Sequence, residues 1–160
     1  MKGDNLPTSD PVYDYIVVGA GSAGCVVAGR LAEAGYRVLL LEAGGRDRNP
    51  WIHVPLGYPK LFKNPKLNWS YRSAPEPNLN DRTLYQPRGK VLGGTGAING
   101  MIYVRGQPED FDGWAKVGCS DWGWKDVLPL FKASENQERG ADAFHGIGGP
   151  LAVSDIPKEH

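Results

Sequence analysis

A G-x-G-x-x-G spacing set between two apolar runs constrains this chain more than any other feature. Tyr15-Ile-Val-Val18 reads as a buried parallel strand. It breaks into Gly19-Ala-Gly21-Ser-Ala-Gly24, which opens a small-residue helix ending near Gly35. Arg37 to Leu41 forms a second apolar run, closed by Glu42. Each glycine has a mechanical reason: Gly19 allows a tight turn, Gly21 lets a pyrophosphate approach the backbone, and Gly24 lets helix and strand pack closely. The helix N-terminus offers free N–H groups and about half a positive charge to an anion, with Ser22 and Ala23 in its first turn. Glu42 comes about 20 residues after the last glycine, where a carboxylate accepts hydrogen bonds from a ribose. The alternative is a glycine-rich turn without a ligand, but strand, loop, helix, strand and acid together predict a dinucleotide site.

Composition narrows what can partner such a unit. Over 160 residues, 18 basic and 18 acidic side chains balance, so nothing points to nucleic acid or an anionic membrane. Gly 22 and Pro 13 accompany five Trp and seven Tyr, which signals long shaped loops rather than disorder. Two cysteines, Cys25 and Cys119, make no framework; Cys25 is expected on the packed face of the first helix, and a reducing cytoplasm fits. Residues 15–29 are too short and glycine-rich to span a bilayer, and acids rather than bases precede them. A soluble, cytoplasmic protein is expected, with no His/Cys/Asp/Glu spacing that asks for a metal.

Residues 1–12 read as a flexible lead-in and 13–160 as one α/β domain. In the first helix Cys25, Val26, Val27, Leu31 and Ala32 are expected to cover the sheet. After Glu42 a helix and strand should follow at once in a nicotinamide-binding domain. Instead residues 43–80 interleave prolines with Trp51, Tyr58, Phe62, Trp69 and Tyr71. Such an insertion either wraps a large ligand or forms a satellite core. His53 within it reads as a packed or capping residue. Thr83 to Gln86 reads as a short strand leading to Arg88-Gly-Lys-Val-Leu-Gly-Gly-Thr-Gly-Ala-Ile-Asn-Gly-Met-Ile102. There Gly93 to Gly96 allow backbone N–H groups to converge, Asn99 donates and accepts, and Met101 and Ile102 can border a ring. An anion and a flat heterocycle suit this stretch; a structural turn remains the competing reading. Further on, a helix over 109–116, a second from Trp124 with a core stripe of Trp124, Val127, Leu128 and Phe131, and a strand at Leu151 are expected. Pro129 predicts a kink or a later start in the second helix.

Taken together, these segments resemble the glucose–methanol–choline family of flavoprotein oxidoreductases, closest to its choline-dehydrogenase-like bacterial members. The similarity rests on Val17 to Gly24, Leu41 to Gly44, Arg88 to Gly94 through Asn99, and Arg105-Gly106. It continues through Asp110 to Asp112, Trp114, Trp122, Trp124 and His145 to Leu151. The resemblance implies the N-terminal part of a Rossmann-like FAD-binding domain with aromatic, proline-rich loop insertions. It implies FAD rather than NAD, with Gly19, Gly21, Ser22, Ala23 and Gly24 at the pyrophosphate and Glu42 at the adenosine ribose. Val91, Gly94, Thr95, Asn99, Gly100, Met101 and Ile102 would lie toward the flavin. Many relatives carry two hydroxyl residues after the double glycine; here Gly96 follows Thr95. Some tether the flavin through a histidine where this chain has Ile98, so a non-covalent FAD is expected.

The family implies hydride transfer from a CH–OH group of a small-molecule alcohol to the flavin, with an electron acceptor the sequence does not define. Family members are several times longer, and their substrate domain and alcohol-deprotonating histidine lie beyond the matching stretch. None of His53, His145 and His160 matches that histidine, so no catalytic residue is assigned. The expected reading is the FAD-binding portion of an alcohol dehydrogenase or oxidase, inactive as this chain. A stand-alone flavin-binding or interaction module, and another reaction on the same scaffold such as fatty acid photodecarboxylation, are the alternatives.

Overall fold

In a computed structural model of the chain, which describes residues 11–156, the first apolar run forms β1 (Tyr15–Val18) and the second forms β2 (Val38–Leu41). Between them runs α1 (Ser22–Glu33). The strands pair in parallel, Tyr15 opposite Val38 and Val18 opposite Leu41, as the crossover helix between them requires. Most of the expected lead-in, residues 1–10, lies outside the described residues.

The covering face of α1 differs from the expected one. Ala28 is buried and Leu31 half-buried, whereas Val26, Val27 and Cys25 are exposed. Two strands are narrower than the apolar arc of the helix, so among the described residues only the line through Gly24, Ala28 and Leu31 turns inward. Cys25 is therefore not the small buried hydrophobe expected; its Sγ lies 3.3 Å from the Ala20 carbonyl oxygen. Cys119 is exposed as well.

The insertion after β2 divides its aromatic and apolar residues between two tasks. Short turns at Pro50–Ile52 and Pro55–Gly57 lead into α2 (Tyr58–Phe62), each opened by a proline whose fixed φ suits a first helical turn. Leu61 packs with Val91 and Ile98 into a buried cluster, joined by Ile52, Phe62 and Leu67. His53 ends the first of these turns, with its Nε2 2.7 Å from the Asp47 carbonyl oxygen. The second task belongs to Trp69 and Tyr71, where the chain enters β3 (Tyr71–Arg72), antiparallel to β4 (Tyr85–Gln86). Asn68, buried, holds that entry. Its amide donates to the Phe62 carbonyl at 2.8 Å and the Tyr85 hydroxyl at 2.7 Å, and its carbonyl accepts from Ser70 and Arg88 N–H.

The chain divides into two compact units, the first ending at Ile102 and the second beginning at Tyr103. The second contains α3 (Pro108–Lys116), α4 (Trp124–Ser134) and a parallel pair of β5 (Glu135–Gln137) and β6 (Leu151–Val153). Proline at the first position of α3 and an Asp110 carboxylate accepting the Gln107 N–H at 2.8 Å fix where that helix starts. α4 begins at Trp124, whose N–H donates to Asp112 at 2.9 Å, and continues through Pro129 without the later start that proline predicts. Val127 is buried and Phe131 sits 5.6 Å from the Phe111 ring, so the expected stripe does pack. That tertiary packing offsets the one backbone hydrogen bond which Pro129 removes.

Candidate functional site

The two glycine-rich stretches, far apart in sequence, meet. The Gly93 N–H donates to the Ala20 carbonyl at 2.8 Å, and the Leu92 N–H donates to Gly45 at 2.9 Å. Gly94, at φ +56°, lies so close to Gly21 that a Cβ there would stand 2.8 Å from the Gly21 Cα. Gly19 makes the tight turn at φ +94°, and a Cβ on Gly24 would overlap the Gly19 carbonyl and touch Val17. Glycine at these points thus permits the turn, the helix–strand contact and the seam between the stretches.

A cavity of about 630 Å³ opens along this seam, within the range that holds cofactors. Gly19 and Gly21 from the first loop, Gly94 and Thr95 from the second, and Glu42 at the end of β2 all line it. Gly21 caps α1 without a side chain, leaving the first-turn N–H groups of Ser22, Ala23 and Gly24 without a side-chain acceptor. Glu42 accepts the Ala20 N–H on one oxygen and the Gly44 N–H on the other, both at 2.8 Å. Each oxygen keeps a lone-pair direction for a further donor. A diphosphate with its ribose fits this chemistry: glycine backbone that no Cβ obstructs, a helix N-terminus, and an anchored carboxylate.

The other expected residues distribute differently. Asn99 and Met101 border a second cavity of about 280 Å³, with Trp51, His53 and Tyr58 on its other sides. Met101 at φ +57° and Ile102 are exposed, and the Asn99 side-chain Oδ1 accepts the Met101 N–H at 2.8 Å. Val91 has no exposed surface; its side chain belongs to the core beneath the loop, and its backbone bridges to Gly45. Thr95 turns its hydroxyl toward the chain, accepting the Gly89 N–H at 3.1 Å. Gly100 is exposed and lines neither cavity.

The sequence left Trp69 and Tyr71 between wrapping a ligand and forming a satellite core and gave Arg88 no role of its own; all three line the larger cavity. A signal existed: two aromatics two residues apart beside a short strand. It was indistinguishable from the core aromatics of the same insertion. Among the described residues no group of three His, Cys, Asp or Glu side chains could hold a metal ion. Among them, too, no helix is long and apolar enough to cross a membrane.

In the second unit, Glu135 has no exposed surface and gathers donors from three directions. Arg105 donates at 2.5 Å, the Gly146 N–H at 3.0 Å, and the His145 ring nitrogen lies 2.9 Å away. Burial pushes the Glu135 carboxyl up. The Gly146 N–H, His145 and Arg105 outweigh it and hold the group below the ordinary carboxylate value.

Comparison with known proteins fixes the class. The GMC oxidoreductase profile matches residues 13–160. The chain is 53% identical over 147 residues to an alcohol dehydrogenase [acceptor] of Pseudomonas putida, covering 91% of this chain and 27% of that protein. It is 49% identical over 143 residues to an oxygen-dependent choline dehydrogenase of Rhizobium etli, covering 88% and 26%. Among solved structures, pyridoxine 4-oxidase from Mesorbium loti superposes with a TM-score of 0.81 at 39% identity, covering 88% of this chain and 28% of that one. This chain belongs to the GMC oxidoreductase family. It spans about a quarter of the length of the relatives it matches.

Proposed function

We propose that this chain forms the FAD-holding portion of a flavin-dependent oxidoreductase acting on CH–OH donors. The observation that carries the proposal is the seam between Gly21 and Gly94, which brings both glycine-rich loops and Glu42 around one cavity. A nicotinamide-binding βαβ unit has no use for the second loop, whereas family membership and the alcohol and choline dehydrogenase relatives point to flavin. The unit β1–α1–β2 serves as the dinucleotide-binding half of a Rossmann-like domain. Ser22, Ala23 and Gly24 N–H groups bind the diphosphate, Glu42 takes the ribose hydroxyls, and the loop from Thr95 to Ile102 faces the flavin end. Val91 supports that loop from below.

Bound there, FAD supplies acceptance of a hydride from the carbinol carbon of an alcohol. The chain's own residues bind and orient it. No base is assigned: His53 is tied to the Asp47 backbone and His145 to Glu135. Met101 and Ile102 stand open to solvent, so water is not excluded from the flavin-facing loop of this chain alone. The 160-residue chain is therefore expected to show no alcohol turnover with FAD and an artificial acceptor. We place the protein in the cytoplasm, with a small alcohol as substrate and a separate electron acceptor. The flavin is held without a covalent bond, since Ile98 is an aliphatic side chain 1% exposed in the core. Acid precipitation should leave all the flavin in the supernatant.

Equilibrium dialysis against FAD and NAD tests the cofactor. FAD should bind at least ~10-fold tighter, a difference of about 1.4 kcal/mol. Equal or tighter binding of NAD overturns the proposal.

A further inference from the structure

The balanced total charge of the chain conceals an uneven distribution. Between residues 43 and 90 there are nine Lys and Arg but only three acids, Asp47, Glu76 and Asp81. Among the described residues no carboxylate pairs with any of the nine; Asp47 lies 4.0 Å from the His53 ring nitrogen instead. Surface charge of one sign, left without counter-charges, attracts a partner of the other sign whatever the total.

Part of this charge is ordered along one face. The turn at Pro55–Gly57 runs directly into α2, so the backbone is helical from Pro55 to Phe62. Gly57 and Leu61 turn inward, four residues apart, and both are buried. Leu56, Lys60 and Lys63, at i, i+4 and i+7, share the adjoining face and all stay exposed, Leu56 by 85%. Lys66 stands exposed in the turn that follows, where the Leu67 N–H donates to the Asn64 carbonyl at 3.1 Å. Pro55 and Pro59 fix the backbone on either side of Leu56. Beside it the exposed Trp51 ring carries the Lys60 ammonium 3.4 Å from its centroid.

We propose that this face, Leu56 with Lys60, Lys63 and Lys66, docks the protein on an anionic lipid surface. Three lysines within seven residues attract acidic headgroups. Leu56 supplies an apolar tip to enter the bilayer interface. Trp51 and Tyr58 bring the amphipathic rings that settle at headgroup level, while the lysine stems lie along apolar surface and their ammonium groups reach phosphates. An acidic protein surface satisfies the lysines but gives no use to a leucine 85% exposed between two prolines. The contact is peripheral and needs no spanning helix. Because Trp51 and Tyr58 also line the smaller cavity, docking brings that cavity to the lipid surface.

The test is co-sedimentation of the 160-residue chain with vesicles of phosphatidylcholine alone and of phosphatidylcholine mixed with phosphatidylglycerol. The mixed vesicles should bind at least ~10-fold tighter, and binding should weaken as salt rises. Lys60→Gln, Lys63→Gln and Lys66→Gln combined should weaken it roughly 100-fold, about 5-fold for each lysine. The same three positions changed to Arg should stay within ~3-fold of the starting protein, since the charge is kept. Leu56→Ser should weaken binding about 10-fold through lost apolar burial. Equal binding to both vesicles, or binding to neither, overturns the proposal. Loss in the lysine variant with Leu56→Ser unchanged overturns the lipid assignment and gives the face to an acidic protein. None of these side chains belongs to the cofactor site, so FAD affinity should not change in any variant, and failure of docking leaves the cofactor reading standing.

Discussion

Around the glycine loops of the first unit, the head of α1 has no side-chain cap, and Glu42 keeps lone pairs beside an open cavity. In the second unit, Glu135 is fully enclosed, and Arg105, His145, Gln137 and the Gly146 N–H all converge on its two oxygens. Around Glu42 polar capacity is left unspent; around Glu135 it is consumed internally. Unspent donors on a glycine backbone are what an anionic ligand needs, because they are fixed before it arrives. A saturated carboxylate hub, in contrast, has nothing left for a ligand and serves to fix the chain around it. Variants in the first unit should therefore act mainly on binding, and variants in the second mainly on stability.

The largest effect is expected in the second unit. Glu135→Ala leaves the Arg105 guanidinium, only 10% exposed, without its carboxylate. Breaking such a buried pair from one side costs about 3 kcal/mol or more. Urea unfolding should show that loss; a change below ~1 kcal/mol would mean the hub is dispensable and break the comparison. Next comes Gly94→Val, which places a branched side chain at φ +56° against Gly21. FAD affinity should fall at least ~10-fold with the backbone seam disturbed. Retained affinity would show that the seam is not part of the site.

Glu42→Ala removes an acceptor from the ribose and should weaken FAD by roughly 5- to 150-fold, about 1 to 3 kcal/mol. Because Glu42 also ties Ala20 to Gly44, Glu42→Gln sharpens the result: it keeps one acceptor oxygen and should lie between the two.

Acid titration separates the units again. The Glu135 carboxyl titrates lower in the folded protein than its ordinary value of 4.5. Its contribution is then fully present above that value and is lost as pH falls through the lower folded one. Asp142, whose carboxyl the Phe144 and His145 N–H groups hold down, acts in the same direction. Stability should decline below about pH 4.5, and Glu135→Gln should flatten that slope; an unchanged slope would assign the acid sensitivity elsewhere. The smallest effect belongs to Cys25→Ser. Exposed on α1, Cys25 should tolerate the change within about 0.5 kcal/mol, whereas a buried helix face would give a larger loss on thermal unfolding.

What could be read from the residue order was whatever depends on near neighbours. Gly19 and Gly24 declared the turn and the close contact because the first sits at φ +94° and the second leaves no room for a Cβ, and β1, α1 and β2 followed at their expected places. α3, α4 and β6 were likewise legible, α4 from its apolar stripe at helical spacing and β6 from the short apolar run Leu151 to Val153. The inward face of α1 was not legible, since it depends on how many strands the helix covers, and of the two outcomes open at Pro129 the later start did not occur, since α4 begins at Trp124.

By itself, then, the sequence determined a dinucleotide-type loop, an acid after the second strand, a second glycine-rich stretch and the membership these imply. Only the tertiary structure decided that Gly94 meets Gly21, that Val91 is core, and that Trp69 and Tyr71 join Glu42 on one cavity wall. Only it decided that Arg105, Glu135 and His145 form one hub. The reason is physical. A turn or cap is fixed by torsions and hydrogen bonds within a few residues, while a seam or a buried charge cluster depends on which distant segments share space once the core has closed.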